Sequence, residues 1–170
     1  MPNKDMRKNT AFIAFVLAAV CLGLALCSCA GGKTFQAGRL KITLTEDFAV
    51  FGEAGYAGIY VSQTDEPVYV FITKDDISAL KSADDLSIES YAKMKMESNE
   101  MAVGAELKSL NGIPYYVYDA MGESKMLTNF VFFYKDGKIC WTVVISTQWD
   151  KADQKRNEIF KYAKSVTFVK

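Results

Sequence analysis

The stretch Asn129–Ser146, NFVFFYKDGKICWTVVIS, decides how this chain folds. Two apolar runs rich in Phe, Tyr, Val and Ile flank the tetrapeptide KDGK, and Asp136-Gly137 is a strong signal for a tight hairpin turn. β-Branched and aromatic residues at this density read as strands.

Working outward, PYYVYDAM and AELKSLN precede the hairpin as two further strands, broken at the GI-Pro114 step. RLKITLT alternates at Leu40, Ile42 and Leu44 and reads as a half-buried strand. YAGIYVSQ and PVYVFITK add two more, joined by a polar TDE segment. Between RLKITLT and YAGIYVSQ, the segment EDFAVFGEAG reads as a turn and loop, with Phe48 and Phe51 turned inward. Ser87 is the expected N-cap of a helix in IESYAKMKMESNEM, whose inner stripe is Ile88, Tyr91 and Ala92, extended by Met94 and Met101. A second helix is expected from an Asp150 N-cap, with Ile159, Phe160 and Ala163 facing the sheet, and VTFVK closes the chain as a short strand. The sum is an α+β fold: an antiparallel sheet of about seven strands flanked by helices, not a doubly wound nucleotide fold.

The N-terminus carries a different message. Lys4, Arg7 and Lys8 precede an uncharged apolar run from Ala11 to Leu26. Sixteen residues make roughly 24 Å of helix, short of the ~30 Å hydrocarbon core. Basic residues, a short apolar run and small residues after it describe an export signal better than a permanent span. The tetrapeptide Leu26-Cys27-Ser28-Cys29 resembles the lipobox of bacterial lipoproteins. By that resemblance Leu26 is −3, Cys27 is −2, Ser28 is −1, and Cys29 is the residue that receives the lipid. The rival readings of the two thiols are poor. A redox CxxC needs two intervening residues, and the chain has no His to help complete a metal site. The expected organisation is a signal peptide over residues 1–28, a flexible tether over 29–38 and one domain over 39–170. The expected address is the bacterial cell membrane, lipid-anchored and facing away from the cytoplasm.

Removing residues 1–28 leaves 17 basic and 19 acidic residues, a net charge of −2. That is no nucleic-acid footprint and no polybasic membrane patch. Beyond Cys29 only Cys140 remains, read as a small buried hydrophobe.

The order GRLKITLTEDF, a helix after DDLSIESYA, the aromatic hairpin and a closing helix running into AKSVTFV together resemble the PsbP-like superfamily. The resemblance implies an α/β/α sandwich and a binding or assembly role. Fold alone does not carry function.

Catalytic residues, metal ligands and cofactors are all expected to be none. Without His, Ser-His and Cys-His catalysis is excluded, and neither GxGxxG nor GxxxxGK[ST] occurs. Gly52, Gly55 and Gly58 read as a flexible turn. The acid pairs Asp75-Asp76 and Asp84-Asp85 are the remaining candidates for an ion site or an acid/base pair, against the plainer reading of loop charges and caps. Trp141, Trp149, Tyr115, Tyr116 and Tyr118 are candidates for an aromatic platform, with core packing the plainer reading. The leading functional expectation is a non-catalytic lipoprotein with a protein partner, marked by an exposed apolar patch and no deep cavity. A small-molecule or peptide binding lipoprotein needs a concave apolar site; a carboxylate hydrolase needs two acids across a cleft.

Overall fold

In the computed structural model, residues 31–52, 55–80 and 83–170 are described. The signal-peptide segment, Leu26, Cys27, Ser28 and Cys29 lie outside them. Among the described residues ten strands run in the order β1 (Gly32–Ala37), β2 (Leu40–Thr45), β3 (Phe48–Gly52), β4 (Gly58–Ser62), β5 (Tyr69–Asp76), β6 (Lys108–Leu110), β7 (Ile113–Met121), β8 (Met126–Asp136), β9 (Ile139–Gln148) and β10 (Thr167–Phe168). Helix α1 (Ile88–Glu97) lies between β5 and β6, and α2 (Ala152–Lys164) between β9 and β10. Seven strands form one antiparallel sheet in the order β3-β4-β5-β9-β8-β7-β6. A separate three-stranded sheet has the order β1-β2-β10.

The aromatic hairpin lies at the middle of the main sheet. β8 and β9 pair in full register from Leu127↔Gln148 to Asp136↔Ile139, with Gly137 at φ +60 in the first central position of the turn. β9 is the middle strand, bonded to β5 on one side and β8 on the other. Side-chain alternation sends Phe130, Phe132, Val143 and Ile145 to one face of the sheet, where α2 and the small sheet cover them. Val131, Phe133 and Cys140 go to the other face, under Tyr91 and Ala92 of α1. Phe130, Phe132 and Phe133 are all fully buried, because this part of the sheet is covered on both sides.

Local chemistry explains the helix ends. Ser87 caps α1 as expected, its hydroxyl accepting from the Ser90 amide at 3.1 Å. Lys135 donates to the carbonyls of Ala83 and Leu86, tying the approach to α1 down onto β8. At the far end, the Tyr134 hydroxyl donates to the Ala163 carbonyl at 2.8 Å, satisfying one acceptor in the last turn of α2.

Several expectations are corrected. Residues 32–37, assigned to the tether, form β1 and pair along the whole of β2, with Phe35 and Ala37 buried. The Gly-rich composition there hid a strand whose ladder partner lies across a two-residue turn. EDFAVFGEAG contains the edge strand β3 rather than only loop. Phe48 and Phe51 do not both point inward: the register of β3 against β4 shifts between Val50 and Gly52, at Phe51. Phe48 packs on Tyr162, and Phe51 is 76% exposed. The break before β7 is Asn111-Gly112, both at positive φ, a two-residue turn of the NG kind. Met94 and Met101 are exposed, and the inner face of α1 continues instead through Lys95 and Met96. Asp150 does not cap α2: a 3-10 turn over Trp149–Lys151 leads into it, with no side-chain cap. The closing strand β10 joins the small sheet through β2, not the main one.

Candidate functional site

The acids singled out in the sequence do not converge on a site. Asp75 pairs with Lys95 at 2.7 Å and accepts from the Tyr91 hydroxyl. Asp76 accepts from the Ser78 amide at 2.9 Å, a turn-forming bond. Asp84 pairs with Lys138 at 3.3 Å. Among the described residues no group of three or more carboxylates or thiols is placed to hold a metal ion.

The Asp75 cluster is instead a polar fastener under α1. Burial opposes ionisation of Asp75, but the bonds from Lys95 and Tyr91 outweigh it and hold the carboxyl below its ordinary range. Burial, reinforced by the Asp75 acceptor, pushes the Tyr91 phenol well above its ordinary value. Burial also raises the Cys140 thiol, leaving it protonated and inert. The lowered Asp75 value sets a direction. Its contribution to stability is whole above the unfolded carboxylate range, about pH 4, and is lost as pH falls through the folded value. Asp75→Asn is therefore expected to destabilise the protein at neutral pH, with the difference from wild type shrinking below about pH 4. Urea midpoints measured from pH 7 down to pH 3 check this. A difference that stays constant over that range contradicts it.

The concave feature lies on the same sheet face as α1 but beside it. α1 has ten residues, roughly 15 Å of helix, and covers Tyr116, Phe133 and Cys140 on β7, β8 and β9. The β4–β5 half of the face is left open. There Ile59, Val61, Tyr69, Phe71 and Leu127 floor a groove of about 800 Å3. The β4–β5 loop forms one wall with Thr64, Asp65 and Pro67, and the β7–β8 turn Gly122–Lys125 forms another. Phe51 stands at the rim on edge strand β3.

Strand alternation builds this floor. Tyr69 and Phe71 are two apart on β5, so both rings lie on the open face, their centroids 6.4 Å apart and their planes within 11°. Tyr56 packs against Phe71 at 5.5 Å, extending the row. The walls are braced. In the β4–β5 loop the Ser62 hydroxyl accepts from the Val68 amide at 2.8 Å, and the Thr64 hydroxyl donates to the Glu66 carbonyl at 3.1 Å. The β7–β8 turn is closed by the Gly122 amide donating to the Lys125 carbonyl at 2.8 Å.

Of the aromatic residues singled out in the sequence, Trp141, Tyr115 and Tyr116 are core. Tyr118 packs beside Tyr116 at 5.9 Å. Trp149 is 59% exposed in a shallow depression that shares Lys125 and Gln148 with the groove. Of the groove's own aromatics, Phe51 was expected to turn inward, and Tyr69 and Phe71 were not singled out. A signal was present: PVYVFITK is apolar on both alternating faces, and only one of them found cover in the core.

No family model matches the chain, and no curated protein matches it. Solved structures do. A protein of Bacteroides thetaiotaomicron is 15% identical, with a TM-score of 0.53 over 82% of this chain and 49% of its own, so this chain spans about half of that protein's length. LpqN of Mycobacterium tuberculosis, a protein involved in cell envelope biogenesis, is 9% identical, with a TM-score of 0.47 over 82% of this chain and 91% of its own. Cyanobacterial PsbP (CyanoP) from Synechocystis is 16% identical, with a TM-score of 0.55 over 84% of this chain and 95% of its own. The described domain thus has the α+β fold of CyanoP, as the order of its elements implied.

Proposed function

We propose that this chain is a lipid-anchored, non-catalytic binding protein on the outer side of a bacterial membrane, and that its groove holds an apolar peptide segment of an envelope partner. The observation that carries the reading is the open aromatic floor between braced walls. Its volume lies within the range of ligand sites, but its open side and the exposed Phe51 suit an extended segment better than an enclosed small molecule. A hydrolase finds no support: Asp75 and Asp84 are taken up in ion pairs and Asp76 in a turn.

The anchor is Cys29, carried by the lipobox. With β1 starting at Gly32, the chain between the acylated residue and the first strand spans at most about 10 Å. The domain works at the membrane surface.

A photoreactive amino acid at position 51, in the full chain in native membranes, tests the groove. The expected result is a discrete crosslinked protein that is not captured from position 94, which is exposed on α1. Equal capture from both positions, or none from 51, contradicts the reading.

A further inference from the structure

Strand β1 begins at the same end of the domain as the β4–β5 loop and the β7–β8 turn. Gly32 lies opposite Thr45, the last residue of β2. Two residues on, the Asp47 carbonyl accepts from the Gln63 amide at 2.9 Å, where the β4–β5 loop starts. Glu66 in that loop pairs with Lys151, two residues past Trp149. Trp149 borders the shallow depression with Lys125 and Met126, and Met126 stands opposite Met121 in the β7–β8 register. Met121, Met126 and Trp149 are all exposed and belong to neither core cluster. The other end of the domain is marked by Arg39, at the start of β2, which pairs with Asp136 at the β8–β9 turn.

We infer that the Gly32 end of the domain rests on the lipid surface, with Trp149, Met121 and Met126 dipping into the headgroup layer. This rests on the Cys29 anchor and adds an orientation to it. At most about 10 Å of chain separates Cys29 from Gly32, so the end that bears Gly32 is the one held nearest the bilayer. Trp has an apolar body with a polar N–H at its edge, which suits the boundary between hydrocarbon and water. The unbranched Met side chains adapt to a mobile surface. Lys125 has a stem long enough to lie along that layer while its ammonium stays among the phosphates. Charge at this end does not call for anionic lipid, because Lys125 is set against Glu123 and Asp150, and Lys151 is taken up by Glu66. Three side chains orient the domain; they do not replace the acyl chains. A partner that enters the groove from this end does so with a segment lying beside the membrane.

Trp149 is its own probe, since the chain's other tryptophan, Trp141, is buried in the core. The full lipidated chain is held in phosphatidylcholine discs with plain or brominated acyl chains, and bromine quenching of tryptophan emission is read. Trp149→Phe gives the Trp141 background. Adding Leu80→Trp to that variant moves the probe to an exposed site at the other end, where the Leu80 amide donates to the Ile77 carbonyl and the Ile77 amide to the Lys138 carbonyl. Trp149 is expected to be quenched severalfold more than the probe at position 80, and to the same extent when phosphatidylglycerol is added. The Met121→Glu, Met126→Glu double variant is expected to lose most of that quenching while staying on the discs, and a urea midpoint close to wild type confirms folding. Equal quenching at the two positions, or quenching at Trp149 untouched by the double variant, overturns the inference and leaves the anchor standing. A chain that leaves the discs altogether removes the anchor and the inference with it. A photoreactive amino acid at position 126 that captures protein rather than phospholipid in native membranes also overturns it and gives the patch to a partner.

Discussion

Cys29→Ala is expected to abolish fatty-acid labelling and to release the protein from the membrane fraction, while Cys27→Ala does neither. Each buried CH2 of an acyl chain contributes about 0.8 kcal/mol; one chain anchors marginally and two hold stably. Nothing else after residue 28 compensates, because 17 basic residues are set against 19 acidic ones and there is no basic cluster to hold an anionic surface. Among the described residues no helix is long and apolar enough to cross a membrane. Loss of the thioether therefore leaves no other attachment in the proposed arrangement, and the effect is all or nothing. Cys27 lies at the tolerant −2 position and is discarded with the signal in this reading. Metabolic labelling and fractionation of the three proteins decide it. If all three stay unlabelled and membrane-bound, the run from Ala11 to Leu26 is an uncleaved anchor and the lipid reading falls.

The second large effect concerns the fold that carries the groove. Phe132→Ala is expected to cost about 4 kcal/mol. Phe132 is fully buried, lies 5.4 Å from the Tyr115 ring in a stacked pair, and meets the edge of Phe160 at 6.2 Å. Truncation removes the transfer energy of the ring and two aromatic pairings, and it leaves a cavity between β8 and α2 that neither element can close. β8 is held in register by β7 and β9 on both sides, so the backbone has no freedom to collapse inward. Against a typical stability of about 5–15 kcal/mol, this approaches unfolding. Phe51→Ala, the same deletion on an exposed edge, is expected to stay within about 0.5 kcal/mol. Urea denaturation of the two variants provides the check. Similar midpoints would falsify the assignment of the core.

The contrast between these two phenylalanines shows how far local pattern carries. The hairpin was legible because its turn and its two apolar runs are short-range features, whereas its place at the middle of the sheet came only with the strand order. Ser87 was legible as a cap for the same reason. β1 and β3 were not, since a strand of mixed composition is stabilised by the ladder beside it and not by its own residues. Met94 and Met101 looked like core because they are apolar and near a helix, yet which side of α1 meets the sheet is set by Tyr91, Ala92 and the Lys95–Asp75 pair.

The sequence by itself determined that the chain has no histidine and neither nucleotide fingerprint, and it carried the alternation that makes these segments an antiparallel α+β domain. Each depends on residue type or on neighbours a few positions apart. Only the tertiary structure decided the groove. Tyr69 and Phe71 carry the same apolar signal as buried strand residues, and nothing local says whether their face is covered. α1 spans roughly 15 Å and lies over β7, β8 and β9, while β4 and β5 on the same face extend beyond it. The open floor is what one short helix cannot cover on a seven-stranded sheet, and the fold brings the β4–β5 loop and the β7–β8 turn, far apart in the chain, to the lining of one groove.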